Sequence, residues 1–425
     1  MKIPDNLKSF LSDSTVYTFV NLLNKIIPFV LLPIIIRMVS PEDFGIYSIF
    51  ITLESLLIPI VTLNMPAALS SHYYLDSINL REYLSTIVLS LLVACTLFSC
   101  IVLIIPENLT DKTGLSARYV SIAVLTASAM GIINMLSNFY RLQRKPWYYG
   151  IFSVGQSLLL LLLIILFCSL KGNFVMLTIG RITYMAIFTI ISIFLLCNSK
   201  LLAFKFSKEW FKRILKFSIP TVIYSISAFI FLSSDRFLIK HFMGVEEVGY
   251  YAAIFQLASI MSILGVSVNA AWMPWLFENL KKDNDKTKLF IVKLSYTLIT
   301  CFLLFGCLFC IIYPFIAKFI LPANYHPYIN IAYPIIMGSV FEAIYLIVSP
   351  YTFYVEKTKY NGFIGSVIAI LNVSLNLFLI PIIGLNGAAY SFLTSWVLLA
   401  LMFFVFSAHV YPMPWISVFR KIKDK

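Results

Sequence analysis

The chain has 425 residues, of which 60% are hydrophobic and 12% are charged, and its formal net charge is +13. A composition this apolar, with a mean hydropathy of +0.91, excludes a soluble globular protein. Apolar runs of about 20 residues recur along the chain, each long enough to cross a hydrocarbon core of about 30 Å. The seven cysteines are odd in number and lie inside apolar runs, so we expect packing residues rather than a disulfide framework.

The hydropathy pattern predicts an all-α polytopic membrane protein with 12 transmembrane helices. In the first half we expect spans at 15–39, 44–64, 83–105, 117–139, 148–170 and 174–196. In the second half we expect them at 215–239, 247–270, 289–313, 327–350, 361–383 and 385–410. Because each half holds an even number of spans, both halves enter the membrane from the same side, as in a parallel repeat.

The basic residues predict the orientation. The termini and the loops of one side carry 22 of the 32 Lys and Arg, whereas the loops of the other side carry six. By the positive-inside rule, both termini are then expected in the cytoplasm, together with the basic connection from Asn198 to Phe217. Topology therefore accounts for the positive charge, and no nucleic-acid partner needs to be invoked.

A repeated turn divides the chain into halves. Ser40 to Phe50 reads SPEDFGIYSIF, and Gly244 to Ile254 reads GVEEVGYYAAI, so that acids, a glycine and an aromatic residue recur at an offset of 204. Two acids at this position are typical of a capped helix start. A second match, at an offset of 212, pairs residues 143–150 with 355–362. We predict two pseudo-symmetric six-helix lobes, at 1–199 and 217–425, joined by a cytoplasmic basic linker at 200–216.

Several ionisable residues fall inside predicted spans, where each costs at least about 2.5 kcal/mol without a partner, water or a ligand. They are Lys25, Glu54, Arg181, Asp235, Arg236 and Glu342. A Glu54–Arg181 ion pair would explain two of them, and Asp235 and Arg236 are close enough in sequence to pair locally. Glu342 is open to three interpretations: a proton site, a partner for a lysine, or a neutral acid.

Polar residues also form stripes along certain predicted spans. Span one carries a stripe at spacings of three and four, and span seven repeats part of it at Ser218, Thr221 and Ser225. The stripe consists of Ser14, Tyr17, Asn21, Asn24 and Lys25. Gln256 lies in span eight, and Asn372 and Asn376 lie one turn apart in span eleven. These residues either join helices by hydrogen bonds or face a water-filled cavity.

No catalytic arrangement competes with these polar spans. The four histidines have no metal-ligand spacing, and no Gly-rich phosphate loop follows a strand. We therefore expect no metal site, no cofactor and no enzyme activity. A membrane-embedded glycan polymerase or ligase would need a large extracytoplasmic loop, and the predicted outer loops are short.

Four stretches resemble the polysaccharide transporter branch of the multidrug/oligosaccharidyl-lipid/polysaccharide exporter superfamily, and more narrowly its O-antigen flippases of the Wzx type. Ser40 to Tyr47 is similar to the family's first loop, Asp235 to Tyr251 to its mid-chain counterpart, and Lys145 to Gly150 to the loop after span four. The pattern from Leu371 to Ala389, with two asparagines, Ile-Pro, Gly and Gly-Ala-Ala, is similar to the family's last hairpin.

The resemblance implies two lobes around a cationic cavity in the bacterial inner membrane. It also implies transport of undecaprenyl-pyrophosphate-linked oligosaccharide between leaflets for O-antigen and lipopolysaccharide biosynthesis, with a polymerase and a chain-length regulator as partners. Expected cavity residues are Lys25, Asn21, Asn24, Arg181, Gln256, Asn372 and Asn376. Expected coupling or ion-pair residues, for a proton or sodium gradient, are Glu54, Asp235 and Glu342. A multidrug and toxin extrusion antiporter for cations, which needs cavity acids, is the alternative.

Overall fold

The computed structural model describes residues 5–73, 79–104, 115–203 and 205–415. All the secondary-structure elements assigned among these residues are helices. The helices are α1 Asp5–Met38, α2 Pro41–Val61, α3 Met65–His72, α4 Leu80–Ile104, α5 Ala117–Leu142, α6 Pro146–Leu170, α7 Phe174–Asn198, α8 Lys208–Met243, α9 Val245–Ala258, α10 Ile260–Leu280, α11 Asp285–Ile320, a 3-10 helix Ala323–Ile331, α12 Ala332–Val348, α13 Pro350–Tyr354, α14 Thr358–Ile383 and α15 Leu385–Val410. Within the described residues, 12 helices are long and apolar enough to span a membrane, which confirms the predicted number.

Two predicted spans end or break at positions that the hydropathy pattern did not mark. The span expected at 44–64 ends at Val61, because Leu63 and Asn64 take positive φ angles of 47° and 49° and turn the chain into α3. The span expected at 247–270 is interrupted at Ser259, and the membrane-length segment is Ile260–Leu280. Hydropathy marks where an apolar segment lies, but one residue of non-helical backbone leaves no signal in it.

The chain forms two compact units, Met1–Gly249 and Tyr250–Lys425. In the first unit α1 packs on α6, α2 on α5, and α6 on α7, while α8 packs against α2 and α3. In the second unit α15 packs against both α12 and α14, and α10 packs against α12. The lobe and linker boundaries expected from the repeat remain a prediction.

The first copy of the repeated turn is a capped helix start, as predicted. The Ser40 hydroxyl oxygen accepts a hydrogen bond from the Asp43 backbone N–H at 3.1 Å, and Pro41 occupies the first turn of α2. The Asp43 carboxylate also accepts the Phe174 backbone N–H at 2.8 Å, which joins the starts of α2 and α7. In the same unit Gly45, on α2, meets Gly249, on α9, so the two copies of the turn touch at equivalent positions.

Asn372 and Asn376 lie inside the α14–α15 hairpin of the second unit, 3% and 1% exposed. The Asn372 side-chain amide donates to the Ser395 hydroxyl at 3.0 Å, and that of Asn376 donates to the Asn372 side-chain oxygen at 3.0 Å. At the turn Gly384 has φ +62°, and a Cβ on Gly387 would lie 2.5 Å from the Leu379 carbonyl. Both positions therefore require glycine.

All seven cysteines are free thiols, as expected. Cys168 is buried, but Cys100, Cys197, Cys301 and Cys307 are exposed. The expectation that they pack inside the protein is wrong for these four. An exposed position within an apolar span faces lipid, which suits an apolar thiol as well as a packed interior does.

Candidate functional site

A polar cavity of about 350 Å³ lies within the first unit, among α1, α5, α6 and α7. It is lined by Asn24, Met130, Asn134, Ser137, Asn138, Arg141, Tyr149, Ser153, Gln156, Ser157, Leu160, Arg181, Tyr184 and Met185. The five lining residues of α6 have the spacing of one helix face. Since they run from Tyr149 to Leu160, the cavity extends roughly 16 Å along that helix at 1.5 Å per residue.

One end of the cavity is formed by Arg141 and Tyr149. The Arg141 guanidinium carbon lies 5.9 Å from the centroid of the Tyr149 ring, within the range of a cation–π contact. Arg141 is exposed, at the C-terminal end of α5. This places a permanent positive charge at the mouth of the cavity, next to the loop 143–145 between α5 and α6.

The middle of the cavity is built from hydrogen bonds between α1 and α6. The Tyr149 hydroxyl donates to the Asn21 side-chain oxygen at 2.8 Å. The Asn24 amide donates to the Ser153 hydroxyl at 2.6 Å and accepts from the Ser157 hydroxyl at 2.9 Å. The polar stripe of α1 thus joins helices and supplies one cavity residue, so the two interpretations from sequence both apply to it.

The far end of the cavity holds the predicted Glu54–Arg181 ion pair, which is confirmed. Arg181 Nε lies 2.7 Å from one Glu54 carboxylate oxygen, and a terminal guanidinium nitrogen lies 3.0 Å from the other. Glu54 is 1% exposed and Arg181 is 13% exposed. Such a two-pronged pair offsets much of the cost of placing both charges in the membrane. Arg181 lines the cavity, whereas Glu54 is not among the lining residues.

The cavity is chemically suited to an anion that carries hydroxyl groups. Arg141 and Arg181 supply cationic donors, and the amides of Asn134, Asn138 and Gln156 both donate and accept. Of the described residues that line the cavity, none is acidic. A cationic ligand would therefore meet the charge of Arg141 and no carboxylate in the wall, since Glu54 is paired with Arg181 and does not line the cavity.

The remaining predicted site residues lie elsewhere. Lys25 is half-buried on α1 and is not among the cavity-lining residues. Gln256 and Glu342 are half-buried in the second unit, on α9 and α12. Asp235 forms an ion pair of 2.7 Å with its neighbour Arg236, as the local interpretation predicted. Asn372 and Asn376 are the hairpin residues described above, and their proposed sugar contacts remain a prediction.

Residues of the stripe on span one and its counterpart on span seven are only partly described. The side chains of Ser14 and Tyr17 lie outside the described residues. Ser225 accepts a hydrogen bond of 2.8 Å from the Asn64 amide, at the turn between α2 and α3. This bond joins α8 to the turn between α2 and α3 within the first unit. Ser218, on the same helix as Ser225, is fully buried.

Arg141, Gln156 and Tyr184 line the cavity but were not among the site residues predicted from the sequence. Arg141 was counted among the basic residues of a cytoplasmic loop, although it ends a helix whose last turns line the cavity. A signal was present on α6, where Tyr149, Ser153, Gln156 and Ser157 recur at helical spacing within an apolar span. That stripe matches the one on α1, against which it packs.

The fold is that of an α-helical protein with 12 membrane-length helices among its described residues. The chain is similar to a structure described as lipid II flippase MurJ in an inward closed conformation, with 16% identity, coverage of 97% of this chain and 90% of that one, and a TM-score of 0.70. It is also similar to an inward-facing multidrug resistance MATE family transporter of the MOP superfamily, with 12% identity, coverage of 93% and 94%, and a TM-score of 0.67. Flippases and drug exporters thus share this fold, and the fold does not choose between them.

The sequence is more specific. Residues 10–280 match the family described as polysaccharide biosynthesis protein, and the chain belongs to that family. Among curated proteins of Haemophilus influenzae (strain ATCC 51907 / DSM 11121 / KW20 / Rd), it is 25% identical over 277 residues to Lsg locus putative protein 1, covering 64% of this chain and 66% of that protein. It is 26% identical over 288 residues to an uncharacterized membrane protein, covering 66% and 68%. The chain thus spans about two thirds of the length of these relatives. The resemblance to the polysaccharide transporter branch is confirmed.

Proposed function

We propose that the protein is a flippase that moves undecaprenyl-pyrophosphate-linked oligosaccharide from the cytoplasmic to the periplasmic leaflet of the bacterial inner membrane. The observation that supports this most directly is the cavity of the first unit, with an arginine at each end and a wall of amides and hydroxyls. Membership of a polysaccharide biosynthesis family agrees with a glycan as cargo. Alternating access, with both termini in the cytoplasm, is the mechanism that we propose for the movement.

The charge of the cargo explains why arginines are useful here. A pyrophosphate carries about two negative charges, and each would cost several kcal/mol in the bilayer if it were unpaired. Guanidinium groups bind phosphate oxygens through paired N–H donors and stay charged at every physiological pH. Arg141, exposed at the mouth, would meet the pyrophosphate first, and Arg181 would then meet it at the far end.

The amides and hydroxyls of the middle section suit sugars. Asn134, Asn138 and Gln156 each offer both donors and acceptors to hydroxyl groups. The apolar prenyl chain would remain in the bilayer, outside the cavity. Coupling to a proton or sodium gradient, and cooperation with a polymerase and a chain-length regulator, belong to the same proposal.

The alternative, a drug or cation antiporter, requires acids in the cavity wall. Glu54 is paired with Arg181 and is absent from the wall, and the residues that line the cavity are neutral or basic. An anionic ligand is therefore favoured over a cationic one.

The test is complementation of a flippase-null bacterial strain, with surface glycan and membrane protein level both measured. Arg141→Gln should lower surface glycan at least about tenfold at normal protein level, since hydrogen bonds to charged groups contribute about 1.5–3 kcal/mol. Arg144→Gln is the matched control, because Arg144 lies three residues after Arg141, is exposed and does not line the cavity. Wild-type protein that restores drug resistance but no surface glycan would overturn the proposal.

A further inference from the structure

A second polar pocket, of about 430 Å³, lies within the second unit. It is formed where the 3-10 helix and the start of α12 face the turn between α14 and α15. Its lining residues are Asn330, Tyr333, Pro334, Ile383, Asn386 and Tyr390. In the topology predicted from the basic residues, the loops after spans nine and eleven, which border this pocket, are on the outer side of the membrane.

The lining of this pocket combines tyrosines with asparagines. Tyr333 and Tyr390 are 36% and 47% exposed, and Asn330 and Asn386 are also exposed. None of the described residues that line the pocket is charged. Tyrosine rings offer flat apolar faces with a polar edge, and asparagine amides offer donors and acceptors side by side. Together these groups match a neutral sugar, which has apolar C–H faces and rows of hydroxyl groups.

The pocket is held in a rigid frame. Gly384 and Gly387 fix the turn that presents Asn386, as described above. A Cβ on Gly338 would lie 2.5 Å from the Phe392 ring, so α12 and α15 meet closely two residues beyond Tyr390. On the other wall, the Tyr250 ring stacks on Tyr328 with centroids 4.4 Å apart. Residues placed on such elements keep their spacing, which is what a binding site requires.

Tyrosines at a membrane surface are commonly interfacial anchors. An anchor needs only an aromatic ring facing the headgroups, and it needs neither a concave site nor paired amides. Here both tyrosines line the same concave pocket, each with an exposed asparagine three or four residues before it: Asn330 before Tyr333 and Asn386 before Tyr390. That spacing puts each pair on one helix face.

We infer that this pocket is a saccharide subsite, which binds neutral sugar units of the cargo on the outer side of the membrane. The inference rests on the proposed function for the identity of the cargo as a glycan. The sugars would stack on Tyr333 and Tyr390 and bond through their hydroxyls to Asn330 and Asn386. The pocket differs from the cavity of the first unit because it has no arginine in its lining. It would therefore bind uncharged sugars in preference to phosphate.

The experiment uses the full-length protein in phosphatidylethanolamine–phosphatidylglycerol nanodiscs and a panel of lipid-free, unphosphorylated bacterial oligosaccharides of neutral sugars. Saturation-transfer NMR reports their binding. We expect transfer to at least one oligosaccharide, a loss of affinity of about tenfold or more in Tyr390→Leu and Asn386→Leu, and no effect of excess inorganic pyrophosphate. Tyr360→Leu is the matched control, because Tyr360 is 53% exposed on α14 and does not line the pocket.

Three outcomes would overturn the inference. Wild-type protein that binds no oligosaccharide, or Tyr390→Leu that binds as wild type does, would leave the tyrosines as interfacial anchors only. Loss of binding in Arg141→Gln would move the sugar site to the cavity of the first unit. Failure here is distinct from failure of the proposed function, because surface glycan export in the complemented strain is measured independently.

Discussion

Gly45 and Gly249 occupy equivalent positions in the two copies of the repeated turn, and their backbones touch where α2 crosses α9. A Cβ on Gly45 would overlap the Val245 carbonyl oxygen and lie 3.0 Å from the Gly249 nitrogen, while a Cβ on Gly249 would overlap the Pro41 carbonyl oxygen. Both contacts are with backbone, which cannot move aside as a flexible side chain can. Small residues are what permit helices to approach this closely in a membrane.

Gly45→Ala should therefore destabilise the protein by about 1–3 kcal/mol, the usual cost of overpacking. We expect a lower thermal unfolding midpoint for the purified protein in detergent, and less surface glycan in the complemented strain. Gly365→Ala is the control, because no atom lies within 4 Å of a Cβ placed there. An unchanged midpoint for Gly45→Ala would show that the crossing is not tight.

The Glu54–Arg181 pair predicts a second result. Glu54→Gln leaves the Arg181 charge buried without its partner, which should cost about 3–5 kcal/mol. The double variant Glu54→Leu/Arg181→Met removes both charges and should recover much of that stability while abolishing export. Thermal unfolding and export, measured side by side, separate the two effects. Glu82→Gln is the control, since its partner Lys205 is exposed and little change is expected. Equal losses of thermal stability in Glu54→Gln and Glu82→Gln would contradict this account.

His72, at the end of α3, predicts a pH dependence. Its Nδ1 lies 3.0 Å from the Tyr83 hydroxyl, and burial, reinforced by the positive charge of Arg213, lowers the pKa of His72 below its ordinary value. His72 therefore binds a proton less readily in the native state than in the unfolded chain, where the pKa of histidine is about 6.5. The stability from neutral His72 is fully present above that pH and is lost as the pH falls through the lower native pKa.

We accordingly expect the thermal midpoint of the wild-type protein to fall on acidification below about pH 6.5. His72→Asn, which keeps an acceptor for the Tyr83 hydroxyl, should fall less over the same interval. Identical pH profiles for the two proteins would show that His72 does not control this response.

Lys25, half-buried on α1 beside the cavity residue Asn24, predicts a charge requirement. If it meets the pyrophosphate, Lys25→Arg should retain export, whereas Lys25→Glu should lose export at a normal membrane protein level. A structural role instead predicts that Lys25→Ala lowers the protein level itself. Surface glycan and protein level in the complemented strain decide between these results. Full export by Lys25→Glu at normal level would exclude contact with the pyrophosphate.

The topology can be tested with reporter fusions. A reporter that is active only in the periplasm should be silent when fused after Lys425 or within 200–216, and active when fused near Lys112. The reason is the unequal distribution of the basic residues, of which 22 lie on the predicted cytoplasmic side. Lys112 and Lys425 lie outside the described residues. Activity of the fusion at Lys425 would reverse the orientation.

The features that could be predicted from the sequence are those in which a charged or polar group would be strongly destabilising without a partner. Glu54 and Arg181 are charged within apolar spans, so their pairing followed from the cost of separating them. A capped helix start in the first copy of the repeated turn was likewise expected, because the N–H groups at a helix start need acceptors. The partners of the polar stripe on α1 could not be predicted, because periodicity shows which residues of α1 share a face but not that α6 packs against that face. Arg141 escaped notice because a basic residue at a helix end is the common case for a cytoplasmic loop.

The hydrogen bonds of the last hairpin also bear on how the protein is made. Asn372 and Asn376 lie within an apolar span, α14. The Asn372 amide donates a hydrogen bond to Ser395, which lies on the following span, α15. An amide without a partner in hydrocarbon costs several kcal/mol. Released from the translocon singly, α14 would carry that cost until α15 arrived. The hydrogen bond between Asn372 and Ser395 thus favours entry of α14 and α15 into the lipid as a pair, with the turn at Gly384 and Gly387 already formed.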